Sequence, residues 1–220
     1  MKPVIIVNFK TYSESTGKGA DELALICEKV AHDTGKNIIL AVEEVDIYRI
    51  SALVDIPVYS ETLDPISSGA HTGKNLPQAL KENGAVGTLL NHSEDLFILD
   101  MLKESIDIAK KLGLKTVVCA NDADTAEAVA AFDPDMIAIE PPELIGGDIS
   151  VSTAKPEIIT ETIEKVRRVA DIPVLCGAGI KTGEDVRIAL ELGAQGILIA
   201  SGVIKSKNPE KALRELADAL

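Results

Sequence analysis

The chain has 220 residues, 46% of them hydrophobic and 26% charged, and a formal net charge of −13. That length admits one large domain or two small ones around a sizeable core, and the acidic balance argues against nucleic acid or an anionic membrane as partner, because both require a basic surface. No apolar run approaches the ~18 residues of a membrane span, and the opening MKPVIIVNFK carries Asn8 and Lys10 where a signal peptide would place a small-residue cleavage site.

Short apolar, β-branched runs follow one another along the chain: VIIVN (4–8), NIILAV (37–42), IPVYS (56–60), AVGTLL (85–90), KTVVCA (115–120), DMIAIE (135–140), IPVLC (172–176) and GILIA (196–200). Their hydrophobicity is continuous rather than alternating, which suits strands buried on both faces of a parallel sheet. Helical stretches such as EDLFILDMLKESIDIAKKLG and KPEIITETIEKVRRVA lie between them. Gly35, Gly84, Gly113 and Gly193 stand where helices should stop. Asn208-Pro209 reads as an N-cap with proline in the first turn, and Thr182 with Asp185 as a cap with a first-turn acid. The tetrapeptide DIPV recurs at 55–58 and 171–174, each time joining a helix end to a strand. Cys27, Cys119 and Cys176 are odd in number, far apart and without C-x-x-C spacing. They read as core filler in a reducing cytosol, so a cytoplasmic location is expected.

Eight strands alternating with eight helices, at ~27 residues per unit, predict a single-domain α/β fold over residues 1–220, a (β/α)8 barrel. The rival, an open doubly wound sheet, needs G-x-G-x-x-G after its first strand. The nearest glycines, Gly177, Gly179 and Gly183, have the wrong spacing and lie near the C-terminus.

A parallel barrel keeps its active site at the C-terminal ends of its strands. Those ends carry Asn8 and Lys10 (strand 1), Asn91, His92 and Ser93 (strand 4), Glu140 (strand 6), Gly177-Ala178-Gly179 (strand 7) and Ala200-Ser201-Gly202 (strand 8). In an open sheet strands 1 and 8 would lie ~34 Å apart at ~4.8 Å per step. Closure makes them neighbours and brings Lys10 to glycine turns whose amides and helix dipoles suit a phosphate. A dianion can therefore be held inside an acidic protein.

Each residue also has a plainer reading. Lys10 could be a solvated lysine, Asn8 a turn-maker, and His92 a core histidine satisfied by backbone. His32 and His71 read as surface or interface residues, and Glu43 and Glu61 as solvated carboxylates. In MIAIEPPELIGGD (136–148), Glu140 either ends a strand that surfaces and turns or is a base on a strand tip beside a hinged lid. His92 precedes Ser93-Glu94-Asp95, which reads as a helix start; a ring there would stay neutral unless Glu94 acted on it. Taken together, one cation, one neutral imidazole, one carboxylate and a phosphate cradle suit proton abstraction next to a carbonyl, with neither metal nor cofactor required.

NFKTY (8–12), GAHTG (69–73), NHSED (91–95), EPPELIGG (140–147), GAGI (177–180) and IASG (199–202) give the chain a resemblance, along essentially its full length, to the triosephosphate isomerase family in its short archaeal-type form. The resemblance implies a TIM barrel that interconverts dihydroxyacetone phosphate and D-glyceraldehyde 3-phosphate through an enediolate, in glycolysis and gluconeogenesis. It implies Lys10 as electrostatic anchor, His92 as electrophile and Glu140 as base, with Asn8 and Phe9 beside Lys10 at the substrate. Ser93 and Glu94 would support them, Glu94 by holding Lys10. Pro141-Pro142 would be the stiff hinge of a lid, Leu144-Ile145 its tip and Gly146-Gly147 its flexible end. Backbone at Ile145 and Gly146 would join Gly179, Ala200 and Ser201 around the phosphate. GAHTG matches the family's interface loop, which implies a homo-oligomer, dimer or tetramer. Strand 7 ending Cys-Gly-Ala-Gly, Ala-Ser on strand 8, and Glu143-Leu144 in the lid depart from the longer form and fit the short branch.

Two rival readings fit parts of the same pattern. A sugar-phosphate epimerase or phosphoribosyl isomerase would need metal ligands or a paired acid and base on strands 1 and 5, where strand 5 ends in Ala120-Asn121. A non-catalytic phosphosugar-binding barrel would have no reason to carry His92 and Glu140 on separate strands.

Overall fold

The computed structural model describes residues 2–144 and 150–220. Its elements run β1 (Val4–Asn8), α1 (Lys18–Thr34), β2 (Asn37–Val42), α2 (Ile47–Ser51), β3 (Val58–Ser60), α3 (Pro77–Glu82), β4 (Gly87–Leu90), α4 (Leu99–Leu112), β5 (Lys115–Ala120), α5 (Ala123–Ala130) and β6 (Met136–Ile139). A 3-10 turn (Pro142–Leu144) follows, then α6 (Val151–Ala154), α7 (Pro156–Val169), β7 (Val174–Cys176), α8 (Gly183–Glu191), β8 (Gly196–Ile199), α9 (Ser201–Ile204) and α10 (Pro209–Asp218). The strands pair in sequence order, all parallel, and the sheet closes where Val4 to Val7 of β1 lie against Gly196 to Ile199 of β8.

Side-chain alternation separates two apolar layers. Val4, Ile6, Ile39, Ala41, Tyr59, Leu89, Val117, Cys119, Met136, Ala138, Leu175 and Leu198 form one buried cluster. These are every second residue of their strands, and they fill the bore of the barrel. Their neighbours, among them Ile5, Val7, Leu40, Leu90, Val118 and Ile137, pack into a larger cluster with apolar helix residues such as Leu23, Ile106 and Leu213. Each fully buried side chain of this size contributes roughly 1.5–3 kcal/mol. Tyr59 fits the bore because β4 offers it Gly87: a Cβ there would stand 2.5 Å from the phenol ring.

The helix punctuation follows local chemistry. Gly35 and Gly113 close α1 and α4 in left-handed conformation. Thr182 and Asp185 form a reciprocal capping box on α8, and the Asn208 side chain accepts the Lys211 amide at the start of α10.

Two expectations are corrected. Ten α-helices rather than eight occur among the described residues, because α6 and α9 are additional four-residue segments at the C-terminal end of the barrel. More consequentially, Ser93-Glu94-Asp95 does not start a helix; α4 begins at Leu99. The Asn91 side chain accepts the Phe97 amide at 3.0 Å, and the Asp95 amide donates to the His92 carbonyl at 2.8 Å. Residues 92–97 are thereby satisfied as a turn of their own before the helix begins. No helix of the described residues is long and apolar enough to cross a membrane.

Candidate active site

The bore alternation, extended one step past each strand, names the residues at the C-terminal mouth. Asn8 follows Val4 and Ile6, Glu61 follows Tyr59, Asn91 follows Leu89, and Glu140 follows Met136 and Ala138. Gly177 and Ala200 follow Leu175 and Leu198 in the same way. Asn8, Asn91 and Glu140 are buried polar residues, at 5%, 7% and 6% exposure. Buried polar groups require partners, so the bonds each of them makes, or lacks, define the site.

Glu140 donates its backbone amide to the Ala120 carbonyl at 2.9 Å, which holds it to β5. Its carboxylate stands over Gly177, where a Cβ would come within 2.5 Å of the Glu140 Cγ. Only a residue without a side chain leaves that room. Burial pushes the Glu140 carboxyl up to about 7, against the opposing pull of a hydrogen bond from the Cys119 thiol and the charge of Lys10. Burial, together with the same contact, raises the Cys119 thiol well above its usual range.

His92 stands 3.6 Å from Glu140, Nε2 to Oε2, and neither atom has a hydrogen-bond partner among the described residues. Burial and the nearby Lys10 charge lower the imidazole below its ordinary value, while Glu94 and Asp95 pull the other way. The Glu94 amide donates to Nδ1 at 3.2 Å. With Nδ1 accepting, a neutral ring carries its proton on Nε2, facing Glu140. Neutrality therefore comes from burial, a cation and a backbone donor, and not from the helix N-terminus expected from the sequence.

Lys10 lies past the end of β1 with a left-handed φ of 49°. Its amide donates to the Asn8 side chain at 3.1 Å, and its ammonium is held by Glu94 at 2.9 Å. The turn that carries it is tied down by the Ser15 hydroxyl donating to the Phe9 carbonyl and by the Asp46 carboxylate accepting the Gly17 amide.

Asn8, Lys10, Glu140, Gly179, Ala200 and Ser201 line one cleft. Asn8 and Lys10 also wall an adjoining one, which contains His92, Glu94 and Glu61. Lys10 thus stands between the phosphate-type turns and the imidazole. Ala178 and Gly179 take left-handed φ of 72° and 73°, and a Cβ on Gly202 would come 2.9 Å from the Ile180 carbonyl. The two glycine turns therefore abut, and α9 begins beside them, its Val203 and Ile204 amides bonded to the Ala200 carbonyl.

Two expected residues are not brought to either cleft. The Phe9 ring is fully buried in the sheet–helix layer, where its amide bonds Ala41 at 2.8 Å. Ser93 is half-buried and lines neither cleft. Ile145 and Gly146, with the Gly146-Gly147 end of the expected lid, lie outside the described residues. Two neighbours of the site were not expected there, Cys119, read as filler, and Glu61, while Asn91 and Gly177 stand at the strand ends where the sequence placed them without a role. Glu61 is part-buried rather than solvated, one of its oxygens lacks a partner among the described residues, and burial with Glu44 and Glu43 nearby pushes its carboxyl up to about 8. The bore alternation, through Val117 and Tyr59, would have placed Cys119 and Glu61 at the upper end of the barrel.

The family model described as Triosephosphate isomerase matches residues 3–219. Similar proteins include the triosephosphate isomerase of Methanobacterium bryantii, 49% identical over 99% of this chain and 97% of that protein. That of Methanocaldococcus jannaschii is 50% identical over 97% of this chain and 98% of its own length. That of Methanothermobacter thermautotrophicus is 47% identical over 97% and 94%. With likeness of this depth running end to end, on a closed barrel whose mouth sets a lysine, an imidazole and a carboxylate together, the chain belongs to the triosephosphate isomerase family.

Proposed function

We propose that Glu140, His92 and Lys10 divide between them the chemistry of this family, the glycolytic interconversion of dihydroxyacetone phosphate and glyceraldehyde 3-phosphate. The observation that carries this assignment is the pair of buried atoms His92 Nε2 and Glu140 Oε2, set 3.6 Å apart beside a lysine and without hydrogen-bond partners among the described residues. Glu140 takes the proton from the carbon next to the carbonyl, and the C–H electron pair becomes the enediolate double bond. Nε2–H of His92 hydrogen-bonds the oxygen on which charge develops, and the Lys10 ammonium adds electrostatic stabilisation. Returning the proton to the neighbouring carbon completes the isomerisation. A base whose carboxyl titrates at about 7 suits this exchange, because it accepts and releases a proton at similar cost near neutrality.

Gly179, Ala200 and Ser201 hold the phosphate, with Lys10 supplying positive charge in the same cleft. The exposed loop at 67–74, which contains GAHTG, supports a homo-oligomer, dimer or tetramer, assembled through that loop. The cysteine pattern supports a cytoplasmic location. The test of the reaction is NMR of dihydroxyacetone phosphate with the protein in D2O. Aldehyde product carrying deuterium at the exchanged carbon is expected; turnover to any other product, or none, overturns the assignment.

A further inference from the structure

On β4, Leu89 faces the bore and Leu90 the helices, so alternation assigns Asn91 to the mouth and His92 to the outer layer. An unbroken strand would carry the imidazole away from Glu140. The alternation breaks at Asn91, whose φ is 59°, a left-handed backbone that residues other than glycine seldom adopt and asparagine tolerates best. Both ends of its side-chain amide are engaged. Nδ2 donates to the Cys119 carbonyl of β5 at 3.0 Å, and Oδ1 accepts the Phe97 amide at 3.0 Å.

We propose that Asn91 is a positioning residue that sets which way His92 faces and which of its nitrogens bears the proton. Its first bond pins the beginning of the 92–97 turn to the neighbouring strand, and its second ties the end of the turn back to the beginning. Within that closed turn, the Glu94 amide meets His92 Nδ1 and the Glu94 carboxylate holds Lys10. One buried side chain thus clamps the segment that carries both the imidazole and the lysine's partner. The inference rests on His92 acting with Glu140 as described above.

The test uses the full chain with N91G and N91A. Glycine takes the left-handed backbone freely but loses both side-chain bonds; alanine loses the bonds and resists the backbone. The readouts are kcat, KM for dihydroxyacetone phosphate, and the imidazole 15N signals of His92. Expected are a fall in kcat on the order of tenfold for N91G and a hundredfold for N91A, since small misplacements cost this much. KM should stay within about threefold, and the His92 signals should move from a single Nε2–H tautomer toward a mixture. Parental kcat with parental His92 signals in N91G overturns the proposal, and so does a loss of kcat with His92 signals unchanged. Should N91A fail to fold, N91G alone decides, because its backbone is unstrained. H92Q separates the underlying reading: parental kcat there would remove His92 from the chemistry, while the 15N response to N91G would still report whether Asn91 sets the ring.

Discussion

Strand β6 has a carboxylate just before it and another just after it, and the two are treated in opposite ways. Asp135, at the base of the barrel, accepts from Lys115 at 2.6 Å and from the Thr116 amide and hydroxyl at 2.9 and 3.3 Å, while its own amide donates back to Thr116. Glu140, at the mouth, receives a thiol, and its Oε2 has no partner among the described residues. The same contrast runs around the barrel. Among the described residues, Lys10, Asn91 and Ala178 combine a side chain with left-handed backbone at the mouth. The fourth such residue, Asp133 near the base, is exposed and paired with Lys110. Satisfied polar groups stabilise the base, whereas unsatisfied and strained ones at the mouth are the groups available to a substrate.

The largest expected effect breaks the mouth without touching the base. Glu140→Gln keeps the shape but cannot take the carbon-bound proton, so kcat should fall by about 10²–10⁴-fold. Because folding holds the Glu140 carboxyl near 7, above its ordinary value of 4.5, ionising it costs stability as pH rises through that window. The variant should therefore melt above its parent at about pH 8 and close to it at about pH 4. Equal melting at both values would mean that the carboxylate is not strained by burial.

Gly177→Ala sharpens the comparison at the contact under Glu140. Its Cβ must displace the carboxylate side chain, and kcat should drop on the order of a hundredfold with little change in binding of phosphate-bearing analogues. Unchanged turnover would show that Glu140 has freedom to move.

Asp135→Ala is the converse experiment at the base. Losing a carboxylate with three donors should cost about 1–3 kcal/mol, or roughly 2–4 °C of Tm per kcal/mol for a chain of this size, with kcat of the folded enzyme unchanged. A matching loss of kcat would dissolve the division between the two ends.

The smallest effect belongs to Glu61. Its folded carboxyl lies at about 8, so between its ordinary range and that value the folded state holds a proton that the unfolded state releases. Stability then declines as pH rises across the window. Glu61→Gln should raise Tm by a few degrees at about pH 9 and leave it nearly unchanged at about pH 5. A pH-independent difference would mean a packing effect.

Much of the architecture was legible because it is local. Continuous β-branched runs, glycine stops and the caps at Thr182 and Asn208 are decided within a few residues, and strand count with strict alternation then favours a barrel. Lys10, His92 and Glu140 were legible as strand-end residues and through their motifs. The expected helix start at Ser93 fails because the Asn91 side chain takes the Phe97 amide, six residues on, which a helix begun at Ser93 would use itself. Such competition is settled only when β5 supplies the Cys119 carbonyl.

What the sequence by itself determined, then, is pattern: which runs form strands, that helices alternate with them, and that polar residues gather at one end. What only the tertiary structure decided is proximity. That His92 Nε2 meets Glu140 Oε2, that Glu94 reaches across 84 positions to Lys10, and that Gly177 makes room for a carboxylate on another strand all follow from closing the sheet. So do the shifts of Glu140 and Glu61, because burial and neighbouring charge, which set those shifts, exist only once distant strands stand side by side.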